Sequence, residues 1–297
     1  RSNKHYTQLA KSCDEKIIGL VEAILNPFID NVVDNVEEML SNLHNCDSSH
    51  ANLADCVKDL DVMLKKNLME KLLAFYHDFW KVPSYLTAPT SKFTLSKKSL
   101  IVIRKILAQS LKKAITSFIF HASLIRPLDE PGRCSLSAVC AEFELTLVNN
   151  FLTPRIEDNN LDSLSELCAK EHKQLRAFRP LMFATLESIA KSLSLTLALD
   201  SADIPKEETL NNLPKSILLH HLFSRGPDDM KSAHLAVGWT IGRYARWYLN
   251  AKSEKDRVEM IRKSLLIYAK EVDSRQETSY GPVYSLMLEI IDMPELE

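Results

Sequence analysis

Apolar residues recur at steps of three and four along almost the whole chain. Leu53, Val57, Leu60, Leu64, Leu68, Leu72, Phe75 and Phe79, for example, form one face of a helix of about eight turns. No convincing stretch alternates apolar and polar positions with the two-residue period of a strand, and no fixed-period repeat marks a regular solenoid. The pattern predicts an all-α protein of about ten helices, arranged as an elongated multi-helix bundle or helical rod.

Breakers and caps place the elements. A first helix is expected from about Tyr6 to His44, bent or interrupted where Pro27 removes a backbone donor, and a second from about Ser49 to Lys81. Two prolines and several small polar residues break the pattern between Val82 and Ser96. This divides a long-helix part, residues 1–90, from a carboxy-terminal helical bundle, residues 91–297. The third helix should span about Ser96 to Ile125. Ile125 is followed by Arg126 and Pro127, and the residues before a proline are pushed out of the helical region, so the helix is expected to stop there. DEPGR would then turn into a helix capped by Ser135. Pro180 and Pro214 suit first-turn positions, Ser253 with Asp256 resembles a capping box, and Pro282 can open the last helix.

Composition strengthens the helical reading. The chain of 297 residues has only 6 glycines, where average usage would supply roughly 21. Phosphate cradles, nucleophile elbows and tight hairpins all depend on glycine, so the depletion argues against nucleotide-binding α/β folds. Lys plus Arg is 37 and Asp plus Glu is 39, a net charge of -2 that gives no global reason to bind nucleic acid. The six cysteines form no C-x-x-C pair and read as reduced, packed thiols in the cytosol. No apolar run reaches the roughly 18 to 20 residues of a membrane span, so a soluble protein is expected. The start at Arg1 suggests a fragment of a longer chain.

Candidate chemistry is sparse. In FIFHASLIRPLDEPGRC, His121 and Ser123 are two residues apart, about 200° around a helix, so they cannot pair as base and nucleophile. His121 continues the apolar line through Leu107, Leu111 and Phe118 and should face the core, with Ser123 facing out. Cys168 and His172 are four apart and could supply half of a metal site, but no second half is visible and no metal is expected. His220 and His221 should point about 100° apart, one packed and one meeting solvent.

Two surfaces carry more signal. From Phe79 to Leu128 there is no Asp or Glu, and Lys98, Lys105 and Lys112 repeat every seven residues opposite the apolar line. That basic face suits solvent, an anionic membrane or an acidic partner, and the acidic residues around Asp30, Asp34, Glu37 and Glu38 could face it within the molecule. In GWTIGRYARWYLN, Val237, Ile241, Tyr244 and Tyr248 make an apolar face, while Trp239, Arg243 and Arg246 lie opposite as a candidate protein contact. Gly238 and Gly242 would permit a neighbouring backbone to approach closely.

FIFHASLIRPL, LRAFRPLMF, LFSRGPDDMKS, the W-x-x-x-R-Y-x-x-W array from Trp239 to Trp247, SEKDRVEMIRKSL and GPVYSLML occur in this order. Together they resemble the fifth-subunit family of the conserved oligomeric Golgi (COG) complex, over its carboxy-terminal portion. The resemblance covers about Ile115 to Ile290, and within it His121, Arg126, Pro127, Arg179, Pro180 and Trp247 are expected to be structural signature residues. It implies a helical-rod subunit of a vesicle-tethering complex in intra-Golgi retrograde traffic, peripheral on the cytosolic face of the Golgi membrane. The seventh subunit is the implied direct partner. The family has no known active site or cofactor, so no enzyme, cofactor, nucleic acid or small-molecule substrate is expected. A peripheral module binding anionic membrane through the Lys98, Lys105 and Lys112 face is the alternative.

Overall fold

The computed structural model describes residues 97–293, apart from 127, 153–162, 199–209 and 278, together with scattered positions between 12 and 74. Among the described residues there is no strand. Helices with described bounds are α1 (Lys97–Ser123), α2 (Glu130–Leu147), α3 (Leu164–Leu167), α4 (Ala169–Leu181) and α5 (Leu186–Ala198). They continue with α6 (Lys215–Phe223), α7 (Ala233–Ala236), α8 (Ile241–Asn250), α9 (Glu254–Ser274) and α10 (Pro282–Asp292). Of the first two expected helices only isolated positions are described. Those from Ser12 to Ser41 are helical, Pro27 among them, as are Val62, Glu70 and Ala74. The break expected between Val82 and Ser96 lies outside the described residues.

The chain forms two compact units, each assembled from separated stretches. One comprises residues 1–36, 63–114 and 146–168. Here α1 buries Val102, Ile106, Leu107, Ala108 and Leu111, the apolar run that the helical spacing placed together. A π-helical turn, Val148–Leu152, packs on α3. The start of α3 is a capping box, with Ser163 Oγ accepting from the Glu166 amide at 3.2 Å and Glu166 Oε2 accepting from the Ser163 amide at 2.8 Å. Buried Cys168 donates its thiol to the Ala108 carbonyl at 3.7 Å.

The other unit comprises residues 37–62, 115–145 and 169–297. At its centre lies α6, whose residues Ser216 to Phe223 are all buried. A helix that is apolar all round, as ILL and LF make this one, belongs in the middle of a bundle. It packs on α9 and α10, and α9 in turn holds α7. Because α6 is covered on every side, His220 and His221 are each only 1% exposed. Neither meets solvent, contrary to the expectation for adjacent residues on a surface helix.

Several start signals resolve differently from their sequence reading. Asp129, not Ser135, starts α2: its carboxylate Oδ1 accepts from the Gly132 amide at 2.8 Å. DEPGR is therefore a cap and first turn, and Ser135 lies within the helix. Pro180 sits in the last turn of α4 rather than a first turn; there a missing N–H removes only one terminal hydrogen bond, and the helix ends one residue later. Pro214 is the N-cap residue just before α6, one position ahead of the first turn expected for it. Two other starts match expectation: Pro282 is the first residue of α10, and Ser253 Oγ accepts from the Asp256 amide at 3.2 Å while donating to its carboxylate.

Candidate functional site

The end of α1 is where the sequence concentrates its unusual residues. The helix stops at Ser123, as the prolyl break requires, with the Leu124 amide closing on the His121 carbonyl at 3.1 Å. His121 and Ser123 are both fully buried. The outward position expected for Ser123 is wrong because both faces of this end are covered, with Phe120, Ala122, Leu124 and Ile125 buried as well. Ser123 Oγ satisfies itself locally on the Phe120 carbonyl at 2.6 Å.

His121 belongs to a chain of polar groups that periodicity does not reveal. Its Nε2 lies 3.1 Å from Glu37 Oε2, its Nδ1 lies 3.0 Å from His44 Nε2, and Ser117 Oγ donates to Glu37 Oε1. One assignment satisfies every contact: His44 Nε2–H donates to His121 Nδ1, and His121 Nε2–H donates to the carboxylate. Burial, then the neighbouring His121 and His234, pushes the His44 pKa down to about 3, which keeps it neutral for that role. The serine here donates to a carboxylate and not to a histidine base, so the chain ties helices together without forming a nucleophile–base pair. Ser117 went unrecognised in the sequence and Glu37 was read only as part of an acidic cluster, since 80 residues separate the pair.

Two arginines then join the family words to one another. Arg126 donates to the carbonyls of Gly226, at 3.1 Å, Pro227 and Met230. Arg225 donates to the carbonyls of Leu181, at 2.9 Å, Met182, at 3.3 Å, and Ala184, and to His221 Nε2 at 3.2 Å. Each guanidinium thus stoppers a loop whose carbonyls have few backbone partners, using a planar fork that one ammonium could not reproduce. The word FIFHASLIRPL holds LFSRGPDDMKS, and that word holds LRAFRPLMF. Burial, then the charges of Arg225 and Arg133, pushes the His221 pKa to about 3. Pro127 lies outside the described residues.

The remaining signature residues fall into two places. Arg179, with Arg176 and His172, surrounds Glu144 at distances of 3.5, 3.6 and 3.3 Å. The contact with His172 leads the causes that hold the Glu144 carboxyl below its ordinary value. His172 therefore pairs with a carboxylate, and among the described residues no group of three or more His, Cys, Asp and Glu side chains is placed to hold a metal. Trp247 belongs to an aromatic column. Phe120 stacks on Tyr248 at 4.1 Å and touches Tyr244 at 5.8 Å, Tyr244 stacks on Trp247 at 5.6 Å, and Trp247 meets Trp239 edge-on at 6.0 Å. His220 Nε2 bonds Tyr244 Oη at 2.7 Å and Ser216 Oγ bonds Tyr248 Oη at 2.6 Å.

At the surface end of this column sits the candidate contact. Thr240 caps α8, so Trp239 precedes the helix rather than lying on its far face, and the Arg243 guanidinium stacks over the Trp239 ring at 4.5 Å. Arg243 and Arg246 are exposed, and Leu235 of α7 is 57% exposed. Gly238 and Gly242 do not serve close approach, since a Cβ at either would meet nothing within 4 Å. Gly238 instead takes a φ of +69°, which turns the chain from α7 towards Thr240. Close approach occurs at Gly281, where a Cβ would lie 2.9 Å from Pro227 Cδ.

The basic face of α1 is only partly described. Lys105 is exposed, Lys112 is half-buried, and the side chain of Lys98 lies outside the described residues. Lys113 pairs with Asp30 at 3.5 Å, so one of the acidic residues near Asp34 does meet this surface. Among the described residues no helix is long and apolar enough to cross a membrane.

The described residues thus define an all-α helical bundle whose polar side chains knot helix ends together, with an aromatic-basic patch at its surface. No family model matches the chain, and no solved structure matches it. It is similar to conserved oligomeric Golgi complex subunit 5 of Mus musculus, with 29% identity over 96% of this chain and 30% of the relative. It is also similar to the subunit 5 proteins of Arabidopsis thaliana, 31% identical over 64% of this chain and 20% of the relative, and Drosophila melanogaster, 26% identical over 61% and 21%. The similarity to subunit 5 of that complex agrees with the sequence words, and the chain spans less than a third of the length of these relatives.

Proposed function

We propose that this chain is a non-catalytic helical scaffold of a Golgi vesicle-tethering complex, acting on the cytosolic face of the membrane in intra-Golgi retrograde traffic. It binds other subunits of the complex through the surface formed by Trp239, Arg243 and Arg246, with the seventh subunit as the direct partner. The relatives, each named as a subunit of one complex, support the assembly role.

The observation that carries the choice of surface is the Arg243–Trp239 stack. Trp and Arg are the residues most enriched at interface hot spots, and here both are held in place before any partner arrives. The Trp239 ring rests against Trp247, which rests on buried Tyr244, so docking would order few side chains. Membrane binding through Lys105 and Lys112 has less support, because neighbouring Lys113 already pairs with Asp30.

Titration of the chain with the purified seventh subunit tests this reading. The double variant Arg243→Glu with Arg246→Glu should weaken binding about tenfold or more while thermal stability is kept, and Trp239→Ala should weaken it as much with a small loss of stability, because its ring packs on Trp247. Lack of association with any member of the complex would overturn the assignment; wild-type affinity in both variants would overturn the surface.

A further inference from the structure

A cavity of about 470 Å³ opens on the unit formed by residues 37–62, 115–145 and 169–297, and its lining includes none of Trp239, Arg243 and Arg246. That volume is in the range of sites for small molecules. Its walls are the first turn of α6, the first turn of α9 and the amino-terminal part of α4, so the electropositive ends of two helices of nine and 21 residues border it. The protein already seats a carboxylate there: Glu254 Oε1 accepts from the Ser216 amide at 2.7 Å, at the start of α6.

The side chains bordering the cavity are unevenly satisfied. Four cations, Lys170, Lys215, Lys252 and Arg257, face two carboxylates, Glu171 and Glu254. Arg257 is engaged with Glu254 at 3.3 Å and Lys215 with the Met293 carbonyl. Lys170 and Lys252 are exposed, and neither is in an ion pair among the described residues. Gln174 is only 7% exposed, lines the cavity, and its amide has no hydrogen-bond partner among the described residues. Glu171 Oε2 is likewise buried without a hydrogen bond.

Buried Glu171 Oε2 lacks a hydrogen bond and the Gln174 amide, without a partner among the described residues, lines the same cavity, a pair explained when a ligand fills their valences. Here an amide and a carboxylate oxygen line the cavity together with two exposed ammoniums that form no ion pair among the described residues. Hydroxyl groups would satisfy the first pair and phosphoryl oxygens the second. We infer that this cavity binds a phosphorylated polyol, with Lys170 and Lys252 holding phosphate and Gln174 reading a hydroxyl. The same chemistry is offered by a free polyol phosphate and by a phosphorylated lipid headgroup.

Calorimetric titration of the chain with inositol hexakisphosphate and, separately, with pyrophosphate tests the site. Vesicles of phosphatidylcholine with and without a phosphatidylinositol phosphate distinguish its two sources. The expected result is saturable binding of inositol hexakisphosphate, weakened about tenfold or more by Lys170→Glu with Lys252→Glu, a change on exposed side chains that should leave the melting temperature unchanged. Gln174→Met should bring affinity for inositol hexakisphosphate down towards that for pyrophosphate. Recruitment to the phosphorylated vesicles would assign the lipid source, and binding of the soluble probe alone would assign the free one. No binding of either form overturns the inference, as does equal affinity in the lysine double variant. Pyrophosphate binding as tightly as inositol hexakisphosphate would also overturn it, since charge alone would then suffice. Binding of the seventh subunit by Lys170→Glu with Lys252→Glu is expected to stay intact, so failure here and failure of the docking surface are separable.

Discussion

Arg126 anchors the loop at Gly226, Pro227 and Met230 by donating to all three of their carbonyls. Removing a charged donor from part-buried acceptors leaves them without a partner, at a cost of about 2–3 kcal/mol. Arg126→Ala is therefore expected to lower the unfolding free energy obtained from urea titration by that amount, and Arg126→Lys to recover only part of it, since one ammonium cannot span three acceptors. A loss within about 0.5 kcal/mol, the range of ordinary surface changes, would refute the clamp. At this scale the sequence showed that Arg126 sits in an uncommon word but not what it holds, because its acceptors lie 100 to 104 residues away. The inward face of His121 was legible from spacing. The burial of Ser123 was not, since periodicity gives the angle between two side chains and not what covers each side.

Helices were legible in type and approximate extent, and less so in their ends. The third expected helix, about Ser96 to Ile125, is found as Lys97–Ser123, because a long apolar period and the break at the Arg126–Pro127 pair act together. The start of α2 was placed too late. DEPGR, with Pro131, read as a turn leading to a cap at Ser135, yet proline is well tolerated in a first turn. Asp129 takes the Gly132 amide, and Ser135 stands inside α2. Asp129→Ala should therefore cost about 1 kcal/mol by thermal denaturation, whereas Ser135→Ala should be neutral or slightly stabilising, as alanine is the better helix former. The reverse order of effects would return the cap to Ser135.

For the molecule as a whole, glycine scarcity and three-four spacing were enough to give an all-α chain, because both report directly on backbone preference. They could not give the central place of α6. A nine-residue helix apolar on every side has no hydrophobic face from which to read its neighbours. The cavity between α4, α6 and α9 was equally hidden, since Gln174 and Lys252 are unremarkable until their partners, or the absence of partners among the described residues, are seen.

The buried histidines give the molecule a pH dependence whose sign follows from their environment. Burial leads the causes that push His220 and His221 down to about 3 and His234 to about 4, whereas the same side chains in the unfolded chain titrate near 6.5. Below about pH 6.5 the unfolded state binds protons that the native state refuses, so stability rises with pH through this window. Their contribution is complete above pH 6.5 and is lost as pH falls towards 4 and then 3. His44, which burial likewise pushes to about 3, joins them, so at pH 5.5 each histidine should cost roughly 1 kcal/mol and the four together roughly 4–6 kcal/mol, if they act independently. That is a large share of the stability of an ordinary domain. Urea unfolding at pH 7.5 and pH 5.5 should show this loss, in a range where carboxylates near their ordinary values stay ionised. His221→Gln should flatten the slope by about one proton's worth even if it lowers stability throughout, because the substitution removes a titrating group as well as a contact. Equal slopes in wild type and variant would show that His221 does not exclude protons, and the buried cluster would then have to admit water or charge that its packing does not provide for.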